Sequence, residues 1–184
     1  SNKFKSLVKE HDFVIFSDYG KGTLFRINEL IYICKENNVE SLVDPKQENF
    51  YIYKGASYLK PNYYEFINMV GRVSSKEEEY EKASTLIKKL GIKALILTKG
   101  KDGICVYKKN GEFFEQASHA KEVYDVTGAG DTFTAALALC CSLDMPMYKC
   151  ITVANAMAGV SVRNRGTTTL DYDELDEQIK RVMK

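Results

Sequence analysis

Asp125-Val126-Thr127-Gly128-Ala129-Gly130-Asp131-Thr132-Phe133, running on into Thr134-Ala135-Ala136-Leu137-Ala138-Leu139, is the stretch from which the rest of the chain is read. Gly128, Ala129 and Gly130 stand directly before a run rich in Ala and Leu, both good helix formers. The order predicts a helix start whose first backbone N–H groups carry almost no side-chain cover. Such a terminus has orphan donors and the positive end of the helix dipole, so it suits an anion. Asp131 falls in the first turn. It reads either as a charge that complements the dipole or as a general base beside a phosphate. Glycine spacing alone does not choose: Phe133 stands where a GxGxxG fingerprint needs its third glycine, and no GxxxxGK[ST] stretch occurs.

Outward from this motif, strand and helix patterns alternate. Phe13-Val14-Ile15-Phe16-Ser17 is a short apolar run of the kind covered on both faces, followed by the turn-forming Asp18-Tyr19-Gly20-Lys21-Gly22. Thr23 reads as the N-cap of a helix with Leu24, Ile27, Leu30, Ile31 and Cys34 on one face, ended by Asn37-Asn38. A strand over 40–44, stopped by Pro45, completes a β-α-β unit. A weaker strand over 57–60 precedes a helix opened by Asn62 and closed by Gly71. The next helix, over 75–90, begins with Glu77-Glu78-Glu79 and ends with Lys88-Lys89, an order that complements the dipole. Its acidic run reads as a solvated face. A buried strand over 93–98 leads to a hairpin, 104–107 and 112–114, turned by Asn110-Gly111. Helices over 147–162 and 171–182, the latter capped by Asp171, follow the motif's own helix.

This alternation predicts an α/β fold: a doubly wound, mostly parallel sheet flanked by helices, with one β-hairpin. Ligands of such sheets sit beyond the C-terminal strand ends. Asp18, Asp44, Lys60, Thr98 and Asp125 all fall at or just past predicted strand ends, so one sheet edge is expected to gather them.

Composition narrows the function classes. The 184 residues suffice for one substantial core, and 45% are hydrophobic against 28% charged. Twenty-six basic and 25 acidic side chains leave a net charge of +1, no electrostatic footprint for nucleic acid or an anionic membrane. No apolar run reaches the length of a membrane span, and Ser1-Asn2-Lys3-Phe4-Lys5 has no signal-peptide core. Five cysteines without a CxxC pair read as small core residues of a reduced, cytoplasmic protein. His11 and His119 are the only histidines, so no His-rich metal site is available.

From Asp125 to Ala138 the motif resembles, position by position, the C-terminal signature of the ribokinase-like (PfkB) family of sugar kinases. The resemblance implies a ribokinase-like fold, ATP and Mg²⁺ as cofactors, and transfer of the γ-phosphate to a hydroxyl of a small sugar. Asp131 matches the family's catalytic base, and Gly128, Ala129 and Gly130 match its anion hole. Asn62-Tyr63-Tyr64-Glu65 resembles the family's NxxE motif for magnesium and phosphate placement. Positions i and i+3 share a helix face, so amide and carboxylate can act together. The same pattern is also an ordinary capping-box variant. Thr98-Lys99-Gly100-Lys101-Asp102-Gly103 is similar to the nucleotide loop, with Thr98, Gly100 and Gly103 beside ATP; a strand-to-hairpin turn needs glycines too. Asn155 matches a position bordering adenine, and a buried helix Asn needs a partner in any case. Asp125 and Thr127, with carbonyls near Arg165 and Gly166, resemble a monovalent-cation site and imply K⁺.

Ser17-Asp18-Tyr19-Gly20-Lys21-Gly22, Val43-Asp44-Pro45-Lys46, Glu122-Val123-Tyr124-Asp125, Lys60-Pro61-Asn62 and Arg165-Gly166-Thr167-Thr168 look like the heptose 7-phosphate kinases of lipopolysaccharide synthesis. That likeness implies D-glycero-β-D-manno-heptose 7-phosphate as acceptor, phosphorylated at its anomeric hydroxyl. It implies Asp18 and Lys21 as substrate-binding residues, with Lys21 and Lys46 as cations for phosphates of substrate or nucleotide. Lys21 and Lys46 read equally as exposed loop lysines. The alternatives are another sugar or nucleoside kinase of this fold, and a non-catalytic nucleotide-binding module. The resemblance takes in only the later part of the family's domain. Residues 1–184 are therefore expected to be the C-terminal, nucleotide-binding portion of one kinase domain, with the N-terminal strands, the glycine-pair substrate motif and the β lid missing. Weak ATP binding, little sugar turnover by this piece alone, and a homodimeric longer protein are the matching expectations. So is an exposed edge strand or apolar patch.

Overall fold

Four of the short apolar runs become neighbouring parallel strands: β1 (Phe13–Ser17), β2 (Glu40–Asp44), β3 (Tyr58–Leu59) and β4 (Ala94–Thr98). The computed structural model that shows them describes residues 2–118, 128–162 and 172–183. β5 (Ile104–Lys108) runs antiparallel to β4, and β6 (Phe113–Gln116) follows it, giving six strands in the order β1-β2-β3-β4-β5-β6. The register pairs Phe16 with Val43, Leu59 with Leu95 and Leu97 with Cys105. The mostly parallel sheet, its flanking helices and the hairpin are as expected. Among the described residues the strand order advances in one direction, from β1 to β6, and shows no reversal of the kind expected at the switch point of a doubly wound sheet.

The residues divide into two units, one of 1–100 and 104–115, the other of 101–103 and 116–184. In the first, α1 (Asn2–Leu7), α2 (Ile27–Glu36), α3 (Tyr63–Val70) and α4 (Lys76–Leu90) accompany the sheet. Alternate strand residues Phe16, Val43, Leu95, Leu97 and Tyr107 share one core with Ile27 and Ile31 of α2, Phe66 of α3, and Leu86 and Leu90 of α4. Each such fully buried aliphatic side chain contributes about 1.5–3 kcal/mol. The oppositely directed Leu42, Ile96 and Val106 are buried as well, which is why these strands read as unbroken apolar runs.

Helix ends follow local chemistry. Ser75 caps α4 by accepting from the Glu78 N–H, and Gly91 closes it in the left-handed region at φ 69°. The α2 helix departs from expectation. Residues 23–26 form a turn, the helix begins at Ile27 after Arg26, and Thr23 caps nothing. Its inward face is nevertheless as predicted, with Ile27, Ile31 and Cys34 buried. In the hairpin only Gly111 takes a positive φ, 87°, and the Lys108 N–H donates to the Glu112 carbonyl. That is a three-residue loop with a glycine at the bulge, not the two-residue turn in which both central residues need φ > 0.

β1 is not covered on both faces. It is the outer strand of the sheet, and Ile15 is 40% exposed. The second unit contains α5 (Ala129–Ser142), α6 (Met147–Ser161) and α7 (Tyr172–Met183); α5 packs on α6, and α6 on α7. Among the described residues no helix is long and apolar enough to cross a membrane.

Candidate functional site

Because β1 to β4 run parallel side by side, their C-terminal ends share one edge. Asp18, Asp44, Lys60 and Thr98 stand there, each at or one residue past a strand end. Asp18 is buried and fully engaged: one oxygen accepts from the Gly20 N–H at 2.8 Å, the other from the Tyr53 hydroxyl at 2.8 Å. Tyr53 in turn accepts from the N–H groups of Lys46 (3.1 Å) and Gln47 (3.0 Å), so Asp18 fixes the loop after β2. Burial is the main cause that pushes the Tyr53 phenol far above its ordinary pKa; Asp18 adds to the rise and the Lys46 and Gln47 N–H groups oppose it. The Lys60 ammonium, 5% exposed, lies 3.0 Å from Asp44 Oδ2. Lys21 is exposed.

The start of α3 is the most fully specified part of this edge. The Asn62 side chain accepts from the Glu65 N–H at 2.9 Å, and the Glu65 carboxylate accepts from the Asn62 N–H at 2.8 Å. The capping-box reading of the motif therefore holds outright. The other Glu65 oxygen meets the Lys46 ammonium at 3.3 Å. A small cavity of about 30 Å³, lined by Pro45, Lys46, Glu65 and Asn68 among others, adjoins this pair. With Asn62 Oδ1 committed to the cap, the residues do not suit direct metal ligation. They do fit a hydrated ion held through water, since Glu65 keeps unused lone pairs and the cavity has room for a water. Among the described residues no group of three or more His, Cys, Asp or Glu side chains could hold a metal.

One cluster escaped the sequence reading. Glu79, which the acidic run makes look like part of a solvated face, is 5% exposed and accepts from Lys99 with both carboxylate oxygens, at 2.6 and 2.9 Å. The Tyr107 hydroxyl donates to the same carboxylate. The signal lay in the spacing: Glu79 precedes Ala83, Leu86 and Leu90 on the buried stripe of α4. Burial draws the Lys99 ammonium down, but its bonds to Glu79 and the nearby Cys105 outweigh that, leaving its pKa above the ordinary lysine value.

In the second unit, α5 begins as the sequence implied. Gly128 is the N-cap in the left-handed region, φ 81° and ψ −7°, and the Thr132 N–H makes the first intrahelical bond, to the Gly128 carbonyl. Among the described residues no carbonyl accepts from the N–H groups of Gly128, Ala129, Gly130 or Asp131. A Cβ built on Gly130 would meet nothing within 4 Å, and Asp131 is exposed rather than turned into the core. Asn155 is buried and donates to the Ala117 carbonyl at 2.8 Å, so its amide has a structural partner. Gly103 is needed for close approach: at φ 89°, an added Cβ would lie 2.1 Å from the Gln116 carbonyl oxygen. Gly100 also has a positive φ, 58°, with open space around it.

The structure thus brings Asp18, Lys46, Asn62, Glu65 and Thr98 to one edge of the first unit. It presents Gly128 to Asp131 and, separately, Asn155 and Gly103 in the second. Asp125 and Thr127, with Glu122 to Tyr124 and Arg165 to Thr168, lie outside the described residues.

Comparison with known proteins adds an independent line. The family model described as pfkB family carbohydrate kinase matches residues 2–174. The bifunctional protein HldE of Pasteurella multocida is 37% identical over 177 residues, 96% of this chain and 37% of that protein. The protein of the same name from Vibrio vulnificus is 43% identical over 166 residues, 90% of this chain and 35% of its own. The chain therefore spans little more than a third of the length of these curated relatives. Among solved structures, Arabidopsis thaliana ribokinase complexed with ribose and ATP superposes with a TM-score of 0.86 at 23% identity, covering 98% of this chain and 59% of that one. Phosphofructokinase-2 from Escherichia coli in complex with potassium gives 0.80 at 16% identity, covering 100% and 62%. At these identities the likeness establishes a ribokinase-like fold.

Proposed function

This chain belongs to the pfkB family of carbohydrate kinases, and on that premise we propose that it supplies the phosphoryl-transfer portion of an ATP-dependent sugar kinase. Residues 1–184 are read as the later part of a single kinase domain. The acceptor is the anomeric hydroxyl of heptose 7-phosphate, a small sugar phosphate, in the making of lipopolysaccharide core. Identity of 37% to HldE over nearly the whole chain supports that choice over other sugars.

One observation carries the reading: the start of α5, where an exposed Asp131 stands in the first turn beside N–H groups that no described carbonyl accepts from. Asp131 takes the proton of the attacking hydroxyl, and the Gly128, Ala129 and Gly130 amides stabilise charge on the moving phosphoryl group. Such a transfer needs little covalent help from the protein; positioning and electrostatic stabilisation supply nearly all the catalysis. Thr98, Gly100 and Gly103 line the nucleotide, and Asn155 borders the adenine while anchored to Ala117. Asp18 holds the loop that carries Lys46, and Lys21 and Lys46 meet phosphate charge. Glu65 and Asn62 would hold a hydrated Mg²⁺ through water, and the ion would offset phosphate charge there. Asp125 and Thr127 are assigned a K⁺ ion. Buried Cys34, Cys105, Cys140, Cys141 and Cys150, none of them in a disulfide among the described residues, fit a reduced cytoplasm.

The test is a panel of acceptors offered to the longer protein with γ-labelled ATP. Label on heptose 7-phosphate above other sugars and nucleosides is the expected result. Label on another acceptor reassigns the substrate, and no label on any acceptor favours a non-catalytic nucleotide-binding module.

A further inference from the structure

Lys99 follows Thr98, the last residue of β4, and precedes Gly100, where the chain turns at φ 58°. Its side chain does not extend into solvent as a phosphate hook would. It is 16% exposed and grips both oxygens of Glu79 on α4. The ammonium also lies 5.6 Å from the centroid of the Tyr63 ring, in the first turn of α3 between Asn62 and Glu65. Tyr107 of β5 donates to the same Glu79 carboxylate. The backbone repeats the link: the Thr98 N–H donates to the Pro61 carbonyl at 3.1 Å, and a parallel bridge joins Asn62 to Thr98. One cation therefore ties the end of β4, the start of α3 and the first turn of α4 together.

A buried ion pair is a poor device for stability alone, because an apolar pair of similar volume often does as well. Its distinctive property is direction. The two-oxygen grip and the ring beneath allow the ammonium one position, and the four-carbon stem carries that constraint to the residue before Gly100. We infer that Lys99 is a positioning residue, which holds the Gly100 turn in fixed relation to the Asn62–Glu65 box before any ligand arrives. The inference rests on the proposed function in taking Thr98 to Gly103 as the nucleotide loop. Pre-set loops lower the ordering cost of binding, so the effect falls on affinity for nucleotide rather than on the chemical step.

The experiment uses the longer protein and three variants: Lys99→Met, Lys99→Arg, and the double variant Lys99→Met with Glu79→Gln. Lys99→Met alone strands a buried carboxylate and lowers the melting temperature, which any structural role would also do. The double variant removes both charges and recovers most of that loss. Its KM for ATP stays raised about two- to thirtyfold with a smaller change in kcat, a size typical of residues that act through others. Lys99→Arg brings KM back toward wild type. A second arm needs no nucleotide: amide exchange at Thr98 and Gly100 is faster in the double variant than in wild type. A double variant with wild-type KM and wild-type exchange overturns the inference, as does a KM that recovers in step with melting temperature. If the wild-type protein binds no ATP, the proposed function fails, and the exchange arm still decides whether Lys99 positions the turn.

Discussion

Asn62 and Glu65 hold each other across one helical turn, each side chain accepting from the other's backbone N–H, at 2.9 and 2.8 Å. The second Glu65 oxygen is left to Lys46. The motif is thus a helix cap and a charged site at once, and substitutions separate the two duties. Asn62→Ala removes the cap and costs about 1 kcal/mol in thermal or denaturant unfolding. Glu65→Gln keeps an acceptor for the Asn62 N–H, and loses a half-exposed pair worth at most about 1 kcal/mol. In the longer protein it lowers magnesium-dependent turnover far more than it lowers stability. Wild-type turnover by this variant at every magnesium concentration would remove Glu65 from the site.

The Lys60–Asp44 pair tests the strand edge differently. Lys60 is almost wholly buried while Asp44 is 23% exposed, so the pair is screened on one side. Lys60→Met removes the charge 3.0 Å from Asp44 Oδ2, and the loss falls below the ~3–5 kcal/mol seen when a fully buried pair is broken. Adding Asp44→Asn recovers part of it. A denaturant midpoint that moves as far for the double variant as for Lys60→Met would show that the charges are not coupled.

Gly100 and Gly103 both take a positive φ, 58° and 89°, but meet different surroundings, which predicts unequal costs for alanine. At Gly100 only the left-handed backbone resists, about 1–2 kcal/mol. At Gly103 the new methyl group also strikes the Gln116 carbonyl, 2.1 Å from an ideal Cβ, so the backbone must shift and the loss is larger. Equal melting temperatures for Gly100→Ala and Gly103→Ala would contradict this.

Burial pushes the Cys34 thiol up to about 11, and the Cys140 thiol likewise to about 11, from an ordinary 9.0. The folded pKa is the higher one, so these thiols add stability that is fully present below pH 9.0 and is lost as pH rises through about 11. At pH 8 both are therefore protonated and inert. A thiol reagent is expected to label them at the rate of unfolding, whereas rapid labelling of Cys34 in the native protein would place it outside the core.

Much of this was legible because it is local. The Asn62–Glu65 box and the glycine start of α5 each lie within a few residues of what they act on. What stayed hidden depends on distant partners. Glu79 was read as solvated because its partner Lys99 is 20 residues away, and nothing in Glu77-Glu78-Glu79 itself distinguishes the third carboxylate. Asp18 was singled out for its place at a strand end, but the Tyr53 hydroxyl that occupies it comes from 35 residues on. Thr23 had a capping residue's chemistry, yet residues 23–26 turn before the helix can start. The run in β1 reads as buried on both faces, yet Ile15 is 40% exposed, because apolar content does not reveal which residues a neighbouring element covers.

The most direct measurement is single-turnover phosphoryl transfer by the longer protein carrying Asp131→Asn. Removal of a general base predicts a fall of about 10²–10⁴-fold in rate, with ATP affinity little changed. Transfer at the wild-type rate would contradict the account, leaving Asp131 as a charge that merely complements the dipole of α5.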